Sequence, residues 1–350
     1  MKTKLVLAAV VFQVLALAYM AAGREWILHT GHTIYLRTAP VDPRDAMRGD
    51  YVRLDYPISS VPRALWRDGL ADRKDKADSI RPDTPVYATL NLDEDGMAEL
   101  ATLSDRRPAT GVFLRGRTER FYSWNMAGAL PVRYGLEAFF MQQGSAAEVE
   151  RQRWKEMRGV PLIVEVAVGR DGTGVLKSHR WDALGVTLTF DNVDWPSAPR
   201  SAGRRSVIAA AKLVLTNHGP QDLAIVDLPG GRSFTLIEAA RSGKDEWRWV
   251  GADQPAPTAQ PENIIVLKPG QTHLVRIDLR DPAWFVEKTA KPLAAPVRES
   301  LSALRDDWTA RFRFEYRPPN RVASHALPNA LVLWHGRLPS RAFTPRGDVD

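Results

Sequence analysis

The chain has 350 residues, 44% of them hydrophobic and 25% charged, which is the composition of an ordinary globular protein long enough for two domains. It has no cysteine, and this excludes disulfides, thiolate nucleophiles and cysteine-ligated zinc or iron–sulfur centres. The net charge of +7 arises from 48 Lys and Arg scattered among 41 acids rather than from a basic stripe, which argues against a nucleic-acid partner.

Lys2 and Lys4 precede an uncharged run, Leu5–Gly23, whose one strongly polar residue is Gln13. At about 1.5 Å per residue such a run nearly crosses a hydrocarbon core of roughly 30 Å. Lys2 and Lys4 suit the cytoplasmic side, and Tyr19 and Trp26 the far interface. A cleaved secretory signal is the alternative, with the small residues Ala21 and Gly23 ahead of a cut before Arg24. Both readings place the rest of the chain outside the cytoplasm.

Thr33–Arg37 then alternates as a strand, and two prolines and two aspartates make Pro40–Asp45 a loop. The next segment, "MRGDYVRLDY" (Met47–Tyr56), combines a turn at Gly49 and Asp50 with a strand. Val52, Leu54 and Tyr56 share the core face, and Tyr51, Arg53 and Asp55 share the other. Pro57 lacks an N–H and ends the pairing. Val86–Ser104 reads as a hairpin turning at Asp93–Gly96, and Gly111–Tyr122 as a strand with a bulge at Gly116. Ser145–Met157 is the best helical stretch, capped by Ser145 with Glu148 three residues on. Pro161–Ala183 is a second hairpin, turning at Arg170–Gly174.

From Val186 onward short β-like runs follow at regular spacing: "VTLTF", "AAKLVLTN", "DLAIVDL", "SFTLIEA", "EWRWV", "NIIVL", "THLVRIDL", "ARFRFEYRPP" and "ALVLWHGRL". Turns at Asn217–Pro220, Pro229–Gly231 and Lys268–Gly270 separate some of them, Gly251–Glu262 is a Pro/Ala loop, and Lys291–Trp308 contains a short helix. The expected fold is mainly β with one N-terminal transmembrane helix. It divides into an anchor or signal at 1–23, an antiparallel β barrel-like domain with one helix at 24–184, and an Ig-like β sandwich at 185–350.

The pattern Gly49-Asp50-Tyr51-x-x-Leu54-x-Tyr56 resembles the signature of the GDYXXLXY family of bacterial membrane-anchored proteins. Asp42–Asp45 ahead of it, "RYGLEAFF" (Arg133–Phe140) and Val164–Asp182 extend the resemblance over about residues 5–183. The resemblance implies a single-pass protein of the bacterial inner membrane with its bulk in the periplasm. More distantly, "PVDPRDAMRGDYV" is similar to the frame of the signal peptidase and LexA-type β fold. The nucleophile position there falls near Ala39 or Pro40, neither of which can attack a carbonyl. Thr38 is misplaced, and Lys74, Lys76, Lys155 and Lys177 lack a partnering motif. The chain thus has no catalytic residue of that type.

Other candidates are weaker. "RGD" (Arg48–Asp50) lies in a turn-plus-strand context rather than at a loop tip. His29 and His32 are spaced for one helical face, but the surrounding Thr and Gly argue against a helix, and no metal site is expected. Asp93–Gly96 begins like a calcium loop, yet its twelfth position is Ser104 rather than Glu. Arg133, Tyr134, Gly135 and Glu137 could line a groove for a polar ligand. The preferred reading has the chain entering the core through Leu136, Phe139 and Phe140, with Arg133 and Glu137 paired at its rim. The expectation is a non-catalytic binding or assembly module that works with an integral membrane partner and needs no cofactor, metal or nucleic acid. The alternatives are an envelope hydrolase using carboxylates such as Asp50, Asp55 or Glu137, which would have to converge at glycosidase spacing, and an inactive relative of the signal-peptidase fold.

Overall fold

The structure is a computed structural model describing residues 2–38, 51–73, 80–120, 129–140, 148–149, 151–152, 157, 159–194, 206–240, 247–254, 258–288, 297–307, 310–319, 328–329 and 332–349. Helix α1 (Lys2–Thr30) is longer than the uncharged run, because no breaker intervenes between Gly23 and Gly31. Gly31 N–H closes the last turn on Ile27 O at 2.8 Å. Phe12, Leu15 and Leu17 are all more than 60% exposed, and α1 presents apolar side chains on every side. Ala9–Thr30 is long and apolar enough to cross a membrane.

The chain then builds β1 (His32–Arg37), β2 (Tyr51–Arg53), β3 (Ser60–Pro62), β4 (Pro85–Leu92), β5 (Ala98–Ser104), β6 (Val112–Thr118), β7 (Ala129–Arg133), β8 (Ala138–Phe140), β9 (Leu162–Val168) and β10 (Gly174–Trp181). A nearly closed five-stranded sheet runs in the order β3-β7-β6-β4-β5, beside a β1-β9-β10 sheet and a β2-β8 pair. Tyr35 N–H donates to Gly96 O at 2.9 Å, bringing β1 against the β4–β5 turn. Both expected hairpins are present. Asp93 Oδ1 organises the first, accepting from Asp95 N–H at 2.9 Å and Met97 N–H at 2.8 Å. Gly116 is not a bulge, since its register with Val86 is regular. It is a close-approach glycine, because a Cβ there would sit 2.6 Å from Val132 Cγ1 and 3.0 Å from Tyr134 Cδ1. The region also has a short helix, α2 (Asp68–Ala71), absent from the sequence reading. Of the expected Ser145–Met157 helix, Glu148, Val149, Arg151 and Gln152 are helical, and Ser145 lies outside the described residues.

The remaining strands are β11 (Leu184–Asp194), β12 (Ser206–Asn217), β13 (Leu223–Val226), β14 (Phe234–Ala240), β15 (Trp247–Trp249), β16 (Ile264–Leu267), β17 (Thr272–Asp278), β18 (Val286–Lys288), β19 (Arg298–Glu299), β20 (Arg311–Tyr316) and β21 (Leu338–Pro339). They form the sheets β11-β12-β17, β13-β16, β14-β20-β21 and β15-β18-β19. Eight of the nine expected runs contain a strand. The ninth, "ALVLWHGRL", does not extend as one: Leu333 makes a single bridge to Ala224, and pairing resumes only at Leu338. Gly336, at φ 117, breaks the alternation between them.

Among the described residues, apolar side chains gather in two large clusters. One runs from Ile34 through Val52, Leu54, Tyr56 and Trp66 to Val168. The other draws on residues from Leu184 to Phe343 and is rich in aromatics. In the second, Trp249 stacks on Trp284 at 5.1 Å and Phe314 on Phe343 at 5.4 Å. Tyr316 OH accepts from Val226 N–H at 2.7 Å, tying β20 to β13.

Candidate functional site

The two motifs singled out in the sequence meet. β2 pairs antiparallel with β8 in the register Tyr51↔Phe140, Val52↔Phe139 and Arg53↔Ala138. Leu54 N–H continues the ladder to Glu137 O at 2.9 Å. Val52, Leu54 and Tyr56 are 0%, 1% and 2% exposed, as the alternation requires. Gly49 and Asp50 lie outside the described residues, as do Arg48, Ala39 and Pro40.

The motif tyrosines cross-brace this pair. Tyr56 OH donates to Leu136 O at 2.8 Å, and Tyr134 OH donates to Ile58 O at 3.0 Å. Each ring thus reaches the carbonyl two residues beyond the other tyrosine. Burial, and after it the charge of Glu137, pushes both hydroxyls above the usual phenol range, so they stay protonated donors; Asp55 adds to the effect at Tyr56. Between them, Gly135 takes φ 79, which permits a turn tight enough for the Glu137 side chain to fold back. Its two oxygens accept from Tyr134 N–H at 2.6 Å and Gly135 N–H at 2.9 Å.

This corrects the expected rim pair. Glu137 is held by backbone amides, whereas Arg133 bridges to Asp83 at 3.1 Å in an exposed pair. Leu136 enters the core and Phe139 packs against it, but Phe140 points outward and is 72% exposed. The carboxylate of Asp55 accepts from Tyr56 N–H at 3.0 Å. Tyr51 and Arg53 are placed by their backbone in β2.

The other candidates separate. His29 lies on α1, against expectation, beside Glu25 at 3.1 Å, whereas His32 opens β1, so the two share no helical face. Lys177 pairs with Glu165 at 2.7 Å. Thr38, the nearest hydroxyl to the peptidase-like frame, is buried, and its N–H donates to Leu162 O at 2.9 Å. Among the described residues no group of three His, Asp or Glu side chains is placed to hold a metal ion.

Sequence reasoning missed a buried polar node between the two clusters. Arg37 Nε donates to Asp182 Oδ2 at 2.6 Å, and Arg37 Nη2 to His335 O at 3.0 Å. Trp334 Nε1 donates to Asp182 Oδ1 at 3.0 Å, and the Arg37 guanidinium lies 4.6 Å from the Trp334 ring centre. The side chains of Arg37 and Asp182 are 14% and 4% exposed. A charged residue ending a β1 whose other face is apolar was the one available signal, but its partner lies 145 positions away. Burial pulls the Arg313 guanidinium below its usual range, while Glu315 and Asp55 oppose that shift.

Residues 13–178 match the family model described as GDYXXLXY protein. This match supports the family resemblance read from the motifs, over slightly fewer residues than the 5–183 they suggested. No curated protein and no solved structure matches the chain.

Proposed function

We propose, with the GDYXXLXY match as premise, that the protein is a single-pass bacterial inner-membrane protein held by α1. Its periplasmic β-rich part acts as a non-catalytic binding or assembly module beside an integral membrane partner. The observation that carries this reading is the use made of the motif. Tyr56, Tyr134 and Glu137, the groups best suited to chemistry, are each bonded to backbone of the segments that flank the β2–β8 pair. Side chains bonded to neighbouring backbone in this way build a scaffold. The apolar faces of α1 support the anchor.

On this reading residues 24–184 form a barrel-like domain and 185–350 an Ig-like sandwich. The sandwich is supported by the way the β11-β12-β17 and β14-β20-β21 sheets direct Leu213, Val275, Phe312 and Phe314 into one cluster. The hydrolase alternative is disfavoured because Glu137 and Asp55 are both occupied by amides. The test is photo-crosslinking in native membranes from a reactive side chain at exposed Phe140 of the full chain. Recovery of one reproducible membrane protein is expected, and recovery of none would contradict the proposal.

A further inference from the structure

At the foot of α1, where it meets the β part, lies a cleft of about 640 Å³. Its walls include Trp26 and Ile27 from the helix, Val112 and Phe113 from β6, and Arg170 and Asp171 from the β9–β10 turn. The turn is seated on β6 through Arg115 N–H donating to Gly172 O at 2.8 Å, so the cleft is formed by ordered backbone rather than by side chains alone. Its volume falls within the usual range for small-molecule sites.

Two features of the cleft suggest its occupant. The first is position. The candidate span ends at Thr30, itself a lining residue, so the cleft opens where a bilayer's acyl chains give way to headgroups. Trp26 is 71% exposed at that level. The second is charge. Asp171, the acid in the lining, is answered by Arg115 at 3.4 Å. Arg107 adds a further guanidinium, its Cζ 5.6 Å from the Phe113 ring centre and its Nη2 bonded to the neutral Arg170 O at 2.8 Å. Arg170 itself is exposed. Arg170 is thus the guanidinium in the lining, with Asp171 as the acid and with Arg107 and Arg115 just outside it, above an apolar floor of Ile27, Val112 and Phe113.

We propose that this cleft docks the headgroup of an anionic phospholipid from the surrounding leaflet. The phosphate would lie against Arg107 and Arg170, and the glycerol and upper acyl chain against Trp26, Ile27 and Phe113. The proposal rests on the membrane-anchor reading. It adds a lipid-selective contact that fixes the height and tilt of the β part over the bilayer. An arginine beside an anionic surface strengthens binding by about fivefold.

The test uses the full chain in nanodiscs of zwitterionic lipid carrying a trace of photoreactive phosphatidylglycerol or photoreactive phosphatidylcholine. Labelled peptides are mapped by mass spectrometry. Phosphatidylglycerol is expected to label residues 111–113 and 168–171 more strongly than phosphatidylcholine does. Arg107→Glu and Arg170→Glu should each reduce that labelling by about fivefold or more, with labelling along 9–20 unchanged. Arg107→Gln and Arg170→Gln provide milder versions of the same loss if the charge reversals unfold the protein. Equal labelling by the two lipids, no change in the variants, or displacement by millimolar inorganic phosphate would overturn the proposal. If residues 9–30 are not labelled by either lipid, the anchor reading itself fails, which separates that failure from this one.

Discussion

Replacing Tyr56 by Phe removes one hydroxyl and little volume, which isolates the brace between the two motifs. In the native protein that hydroxyl donates to Leu136 O at 2.8 Å from a side chain only 2% exposed. Phe leaves the buried carbonyl without this donor, a loss of about 1–2 kcal/mol. Tyr134→Phe does the same to Ile58 O and should cost a similar amount. Because both bonds secure the same strand crossing, the double variant should depart from additivity by about 0.5 kcal/mol or more. Amide hydrogen exchange reads this directly. Leu54 N–H, bonded to Glu137 O, sits in the crossing and should lose roughly 5–30-fold in protection in each single variant. If protection is unchanged in either variant while crosslinking to a membrane partner is lost, the tyrosines form a recognition site and do not brace a scaffold.

Glu137→Gln should cost about 1–2 kcal/mol by weakening the two charge-assisted bonds at the Gly135 turn, read as faster exchange of the Tyr134 and Gly135 amides. Gly116→Val should destabilise by about 1–3 kcal/mol, since even a Cβ meets Val132 Cγ1 at 2.6 Å; urea titration of the full chain in detergent checks it. Arg37→Ala strands Asp182 and should cost about 3–5 kcal/mol, visible as an earlier thermal transition. The raised phenols also set a pH dependence. Tyr56 and Tyr134 stay neutral in the folded protein after the unfolded chain begins to ionise near its usual value of 10.0. Their contribution is therefore complete below pH 10.0 and declines as pH rises above it. Urea midpoints from pH 8 to 11 should fall less steeply in the Tyr56→Phe/Tyr134→Phe variant.

What was legible in the sequence was local. Val52, Leu54 and Tyr56 announce their buried face because a strand repeats every two residues, and Asp93–Gly96 announces its turn because Asp and Gly there have specific backbone uses. What was hidden depends on partners far along the chain. β2 and β8 pair over three residues each, too few for either to name its partner, and the Tyr56–Leu136 bond spans 80 positions. Arg133 and Glu137 read as a rim pair, but the positive φ of Gly135 turns the carboxylate onto the backbone instead. Gly116 read as a bulge because its crowding comes from β7, a neighbour the local sequence does not name. "ALVLWHGRL" carries strand composition, yet Trp334 is drawn into the Arg37–Asp182 node and Gly336 breaks the run. Composition recorded that these residues are buried, but not the geometry in which they are buried.

Whether α1 holds the β part on a membrane is decided by alkaline carbonate extraction followed by intact-mass analysis of the full chain. The protein is expected to stay with the lipid pellet at a mass that includes residues 2–23. Release into the supernatant as a species beginning at Arg24 would contradict it.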